Sequence, residues 1–196
     1  IVWRLGPSTP GGGFGWRITP LQNRLLMQVD GGRVMNYVAN QLNLDPVNVL
    51  VVINDQRYGG SGGDPAVTGL GAPAWPGDRN NAIDAAIHEL GHSAFALADE
   101  YDSAVPSAST TPVELNVAHD TISVRSKWGE VLDPRDGDLP TDLTTATIDT
   151  VGMFKGAKYD PDRNYRSQLH CRMREVDKPF CAACRQVISS VLGSEL

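Results

Sequence analysis

The sequence predicts an α/β fold, and three stretches predict it. Val49-Leu50-Val51-Val52-Ile53 is a continuous β-branched-rich run bounded by Pro46 and by Asn54-Asp55, which fits a buried strand. Ile83, Ile87, Leu90, Ala94 and Leu97 recur at helical spacing and form the apolar stripe of a long amphipathic helix. Val187, Ile188, Val191 and Leu192 share one face of a last helix over about Cys181 to Leu192. With 196 residues the chain can form one domain with a real core, or at most two small lobes around a cleft. No internal repeat and no second boundary shows, so residues 1–196 read as a single domain.

The elements follow in order. Residues 6–15 are rich in Pro and Gly and read as loop. Residues 21–43 give a short apolar stretch and then a helix, with Val34, Tyr37, Val38 and Leu42 at helical spacing after Gly31-Gly32. Behind the strand at 49–53 comes Tyr58-Gly59-Gly60-Ser61-Gly62-Gly63. Such a tract is either a flexible loop or an exposed strand edge that lets a peptide backbone approach closely. Pro73, Pro76 and Gly77 close that region, and Asp78 or Asn80 can cap a helix running to about residue 97. Residues 103–113 and 129–150 read as loops, with Trp128 an anchor before the second.

Composition excludes several functions. Hydrophobic residues make up 41% and charged residues 20%, an ordinary globular balance. The net charge of −6 argues against a nucleic-acid partner. No apolar run approaches the roughly 18 residues of a membrane span. No Asn-x-Ser/Thr sequon occurs. The chain begins at Ile1 without Met or a signal peptide, which predicts a processed form or a piece of a longer protein. Eight of the 17 Lys and Arg fall within 155–185, which reads as a solvated face before it reads as a preference for acidic substrates. Cys171, Cys181 and Cys184 allow one disulfide and a free thiol, the reading favoured here. With His170 they would also allow a His-Cys₃ zinc site.

Residues 88–92 read His-Glu-Leu-Gly-His. Two histidines four apart lie one turn apart on the same helix face, so both rings can reach one zinc ion. Glu89 stands beside them, where it can take a proton from a zinc-bound water as general base. Catalytic zinc needs three protein ligands and an open position. A carboxylate past the helix would complete the set. Asp99 is preferred, and Glu100, if not the ligand, would support the ligands or form a structural ion pair. An unbroken helix would carry Asp99 roughly 10 Å along the axis from His92. The chain must therefore turn around Ala96–Ala98.

With these motifs in place, the chain resembles the IgA-peptidase-type zinc metallopeptidases, a family named for a bacterial immunoglobulin A peptidase. The resemblance is carried by residues 88–93 followed by Leu97-Ala98-Asp99-Glu100-Tyr101. It continues in Val51–Asn54 with Tyr58–Gly62, in Asn116-Val117 with Lys127-Trp128, and in Val151–Phe154 with Gly156-Ala157 and Tyr159. Tyr165-Arg166, Cys171-Arg172-Met173 and Phe180-Cys181-x-x-Cys184 extend it from about residue 25 to the end. The resemblance implies a metzincin-like zinc peptidase domain, a mixed twisted sheet over an active-site helix with a smaller C-terminal lobe. It implies one catalytic Zn²⁺ on His88, His92 and Asp99, with Glu89 as base and Met173 in a turn beneath the metal as packing. Ala96 stands where the family often has Gly, so the turn must form on a residue with a Cβ. Lys155 stands where an acidic residue is common.

The reading is therefore a secreted or extracytoplasmic bacterial zinc endopeptidase acting on protein or peptide substrates, with immunoglobulin suggested only by the family name. The substrate would lie extended along Tyr58, Gly59 and Gly60, and Tyr159 or Tyr165 would donate to the oxyanion unless they merely pack. Other readings are a zinc hydrolase of a non-peptide substrate, a peptidase-fold binding module and a purely structural zinc domain. Glu89 disfavours the last two, which need no base.

Overall fold

The structure, a computed structural model, describes residues 2–5, 15–21, 24–44, 48–71, 81–103, 111–132 and 139–193. The chain divides into two units, Ile1–Ala94 and Phe95–Leu196. The C-terminal unit is not the smaller lobe expected, because the segment after the first helical half builds a core of its own.

The first unit contains β1 (Val2–Leu5), β2 (Arg17–Leu21), β3 (Arg24–Gln28), α1 (Gly31–Gln41), β4 (Leu50–Ile53), β5 (Gly60–Ser61) and β6 (Ala66–Gly69). It also contains most of α2 (Ala82–Phe95). The six strands form one mixed sheet in the order β1-β4-β6-β5-β3-β2. The apolar run at 49–53 forms β4, parallel to β1 on one side and to β6 on the other. Its burial alternates: Val51 and Ile53 are buried with Met27 and Val67, whereas Leu50 and Val52 are half-buried. Val34 and Val38, one turn apart on α1, close over the buried face. Asp30 starts α1 by accepting the Arg33 N–H at 3.1 Å.

β5 is an interior strand. It pairs antiparallel with β6 (Gly60↔Thr68) and parallel with β3 (Leu26↔Gly60). Among the described residues, the edge expected at Tyr58–Gly63 is therefore paired on both sides at Gly60, while Tyr58 and Gly59 precede the strand. The edges of this sheet are β1 and β2.

α2 is capped by Asn81, whose Oδ1 accepts from Ile83 N–H at 2.8 Å and Asp84 N–H at 3.0 Å. Asp78 and Asn80, the expected caps, lie outside the described residues, as does most of the 6–15 and 103–113 loops. Of the expected core stripe, Leu97 is buried and Leu90 and Ala94 are half-buried, but the two isoleucines are not in the core. Ile83 is 70% and Ile87 37% exposed, while Ala85, His88 and Gly91 are buried at three-residue spacing.

The second unit contains β7 (Val117–Ala118), α3 (Thr121–Trp128), β8 (Phe154–Ala157), β9 (Asp160–Arg166) and α4 (Ala182–Leu192). The strands form an antiparallel sheet in the order β7-β9-β8. α3 was not legible as a helix from its apolar pattern, but its capping box was available. Asp120 accepts the Ser123 N–H at 2.7 Å, and Ser123 Oγ accepts the Asp120 N–H at 3.0 Å. Trp128 is fully buried with its indole N–H on the Leu115 carbonyl at 2.8 Å. Around it pack Val124, Met153, Met173, the three cysteines and Val187. On α4 the buried face is Ala183, Cys184 and Val187; Val191 and Leu192 are more than half exposed, because the last turn runs past this core.

The basic residues at 155–185 are mostly satisfied within the unit. Lys158 pairs with Glu114, Arg163 with Asp160, Arg174 with Asp102 and Lys178 with Asp177. Arg166 is buried and donates to the Lys155 and Gly156 carbonyls. They do not form a free basic surface. Among the described residues, no helix is long and apolar enough to cross a membrane.

Candidate metal centre

The histidine pair is set by α2 and by the glycine tract beside it. His88 is buried, and its Nε2 lies 3.3 Å from His92 Nε2, with the rings nearly perpendicular. Two imidazole nitrogens on one tetrahedral ion, each at about 2.0–2.1 Å, stand about 3.3 Å apart. The pair therefore has the spacing that a shared ion requires, and the donor set fits zinc.

Gly60 and Gly62 explain how α2 comes so close to β5. A Cβ on Gly60 would lie 2.6 Å from Glu89 Oε1 and 2.8 Å from Glu89 Cγ. On Gly62 it would lie 2.6 Å from both Cγ and Cδ2 of His92. Carbon atoms in ordinary contact stay about 3.5–4.0 Å apart. The tract is more than a flexible loop, since Gly60 is paired in β5. It is the bare backbone against which the general-base candidate and a ligand candidate are packed.

α2 stops at Phe95, and Ala96 takes a left-handed conformation at φ 50°. The chain thus leaves the helical path on a residue with a Cβ, at the position the sequence had marked for a turn. After it, residues 98–101 are tied down by backbone and amide contacts. Ala98 N–H donates to Asn116 Oδ1 at 2.8 Å, and Asn116 Nδ2 donates to the Ala98 carbonyl at 2.9 Å. Glu100 N–H donates to the Met173 carbonyl at 2.8 Å. Lys158 and Tyr159 donate their N–H groups to the Asp99 and Tyr101 carbonyls at 3.0 and 2.9 Å.

Lys158 and Tyr159 make the tight turn between β8 and β9, and both have positive φ, 49° and 59°. Neither is the Gly or Asn that such a turn favours. The two N–H contacts to residues 99 and 101 hold the strained turn in place. Tyr159 then donates its hydroxyl to Asp99 Oδ2 and stacks on Tyr101 with ring centroids 6.0 Å apart. Its hydroxyl is therefore committed to Asp99. Tyr165 lies in β9, half-buried against the hydrophobic core, which is packing.

Neighbouring side chains in this segment diverge. Asp99 meets Tyr159, whereas Glu100 is fully buried beside the cysteines. Glu100 Oε1 accepts from Asn116 Nδ2 at 3.0 Å and from the Cys184 and Cys181 thiols at 3.4 and 3.5 Å. Burial pushes the Glu100 carboxyl well above the usual carboxylate range. Among the described residues, no ion pair to Glu100 is formed.

The expected disulfide is absent: Cys171, Cys181 and Cys184 are free thiols in one buried cluster. His170 does not join them, because its Nδ1 lies 2.7 Å from Glu175 Oε1. Sequence reasoning found the cysteines but missed Glu100 as their companion, along with Asn116, Gly60 and Gly62 in their supporting roles. The signal for Glu100 was its place as a second carboxylate directly after Asp99.

The family model of IgA Peptidase M64 matches residues 16–150, which include α2 and Asp99 but stop short of Met173 and the cysteines. No curated protein matches the chain.

Proposed function

This chain belongs to the IgA Peptidase M64 family, and on that premise we propose that it is a zinc-dependent endopeptidase, secreted or extracytoplasmic, acting on protein substrates. The family makes it a peptidase; the metal, the endopeptidase mode and the location are our reading. The observation that carries the reading is the His88–His92 pair, with its nitrogens 3.3 Å apart on one helix.

His88 and His92 would hold the ion, with Asp99 as the third ligand. Support for Asp99 is the helix break at Ala96 and the Tyr159 hydroxyl that orients its carboxylate, the kind of outer contact that fixes a ligand. When bound, zinc supplies a Lewis acid that polarises the scissile carbonyl and acidifies water. Glu89 takes the proton of the attacking water and passes it to the leaving amine. The Gly60 backbone limits where the Glu89 carboxylate can swing. Residues 1–196 would act together as one catalytic domain. Immunoglobulin as substrate stays a suggestion of the family name alone.

Two measurements test this. Metal analysis of the purified protein comes first, followed by a casein or gelatin digest with and without chelator. Glu89→Gln keeps the shape of the side chain and removes the base. We expect it to retain zinc and lose about 10²–10⁴ in turnover. A zinc-loaded protein that cleaves no peptide, or a Glu89→Gln variant as active as the parent, would refute the proposal. The first outcome would favour a hydrolase of a non-peptide substrate or a binding module.

A further inference from the structure

Buried in the second unit, apart from the histidine pair, four side chains offer one ligand atom each: Glu100, Cys171, Cys181 and Cys184. These atoms all lie within 4.8 Å of one another. We propose that they form a structural metal site that binds zinc through three thiolates and one carboxylate.

The distances match a tetrahedral ion. Bonds of about 2.3 Å to sulfur and 2.0–2.2 Å to oxygen put two sulfurs about 3.8 Å apart and a sulfur and an oxygen about 3.5 Å apart. Here Cys171 Sγ and Cys184 Sγ are 3.6 Å apart. Glu100 Oε1 is 3.5 Å from Cys181 Sγ and 3.4 Å from Cys184 Sγ. The cysteine spacing fits as well. Cys181-x-x-Cys184 is the short spacing of structural zinc sites, and Cys171 supplies the distant third sulfur.

Backbone groups are already aimed at the sulfurs as they are around a bound thiolate. Met173 N–H and Cys181 N–H both point at Cys171 Sγ at 3.4 Å. Cys184 N–H points at Cys181 Sγ at 3.5 Å, and the Ser167 hydroxyl donates to the same sulfur at 3.3 Å. Cys181 also occupies the N-cap of α4, where the helix dipole favours negative charge. Glu100 Oε2 has no hydrogen-bond partner although Glu100 is fully buried. Burying a carboxylate oxygen in this way is costly unless it is paired or bound to a metal. A dication among these four groups answers that cost. It also explains why Asn116 holds Glu100 on this side of its segment while Asp99 faces Tyr159.

The site does not depend on the catalytic reading, so the test is made without the catalytic ligands. The full chain carrying His88→Ala and His92→Ala is purified under reducing conditions and titrated with Co²⁺. We expect one tightly bound equivalent that zinc displaces. It should show thiolate-to-cobalt charge transfer in the near ultraviolet and the strong visible bands of a tetrahedral ion. The three thiols should resist thiol reagent until the metal is stripped. Glu100→Gln in the same background, checked for folding by circular dichroism, should weaken zinc binding by at least about tenfold. Absence of the charge-transfer band in the folded protein overturns the proposal. So does a Cys171–Cys184 disulfide in the protein as purified, or unchanged metal affinity in folded Glu100→Gln.

Discussion

Gly62→Ala probes the packing that sets the histidine pair. The new Cβ would meet His92 Cγ and Cδ2 at 2.6 Å, where about 3.5–4.0 Å is ordinary. The backbone tract or the helix must therefore yield by about 1 Å. The atoms in the way belong to the root of the ring, so rotation of the side chain's far end cannot relieve them. Overpacking of this kind costs about 1–3 kcal/mol. At roughly 2–4 °C per kcal/mol for a chain of this size, Tm should fall by about 2–12 °C. Metal ligation tolerates about 0.2 Å of error. A ring pushed by a larger fraction of an ångström should bind zinc about 10–100-fold more weakly, the range seen when a ligand's supporting contacts are lost. Differential scanning calorimetry and a chelator-competition titration read both effects. Gly32→Ala is the control: its Cβ meets nothing closer than 3.6 Å in the first turn of α1, and Ala favours helix. That variant should be as stable as the parent or more so. If Gly62→Ala keeps the parental Tm and zinc affinity, the close approach is not what positions His92.

Three further variants test the surroundings. Ala96→Gly removes the Cβ from a left-handed residue and should stabilise the protein by about 1 kcal/mol in urea denaturation; a loss of stability would mean the turn is not strained. Tyr159→Phe deletes the donor to Asp99. It should lower stability by about 1.5–3 kcal/mol, as for hydrogen bonds to charged groups, and weaken zinc binding with it; unchanged zinc affinity would remove Tyr159 as the orienting group. Arg57 holds Asp55 at about 2 against an ordinary 3.8, chiefly through their side-chain hydrogen bond. A depressed carboxylate contributes stability above its unfolded pKa and loses it as pH falls through the folded value. The Tm deficit of Asp55→Asn should therefore be full above about pH 4 and close as pH approaches 2. A deficit that persists at low pH would show that the pair does not act through ionisation.

The elements that the sequence disclosed were those whose signal is local. The apolar run at 49–53 and the helical spacing of Val34 and Val38 depend on neighbours a few residues away, and both elements formed. The His88–His92 spacing and the need for a turn before Asp99 were also plain, because helix geometry is fixed. Which face of α2 would be buried was not. Counting apolar residues chose Ile83 and Ile87, yet the helix buries Ala85, His88 and Gly91, because which side meets the rest of the fold is set by distant residues. The glycine tract looked like an edge because pairing partners cannot be read from a two-residue strand.

By itself, then, the sequence determined the chemistry on offer: two histidines and a glutamate on one helix, a carboxylate pair after it, and three clustered cysteines. Only the tertiary structure decided who serves whom. Asp99 and Glu100 are adjacent in sequence and both acidic, and only the contacts around residues 98–101 send one to Tyr159 and the other to the cysteines. The physical reason is that the backbone of this segment is pinned from outside, by Asn116, Met173 and the 158–159 turn, and that pinning fixes which side chain faces which way. What lies on each side is contributed by residues some 15 to 85 positions away.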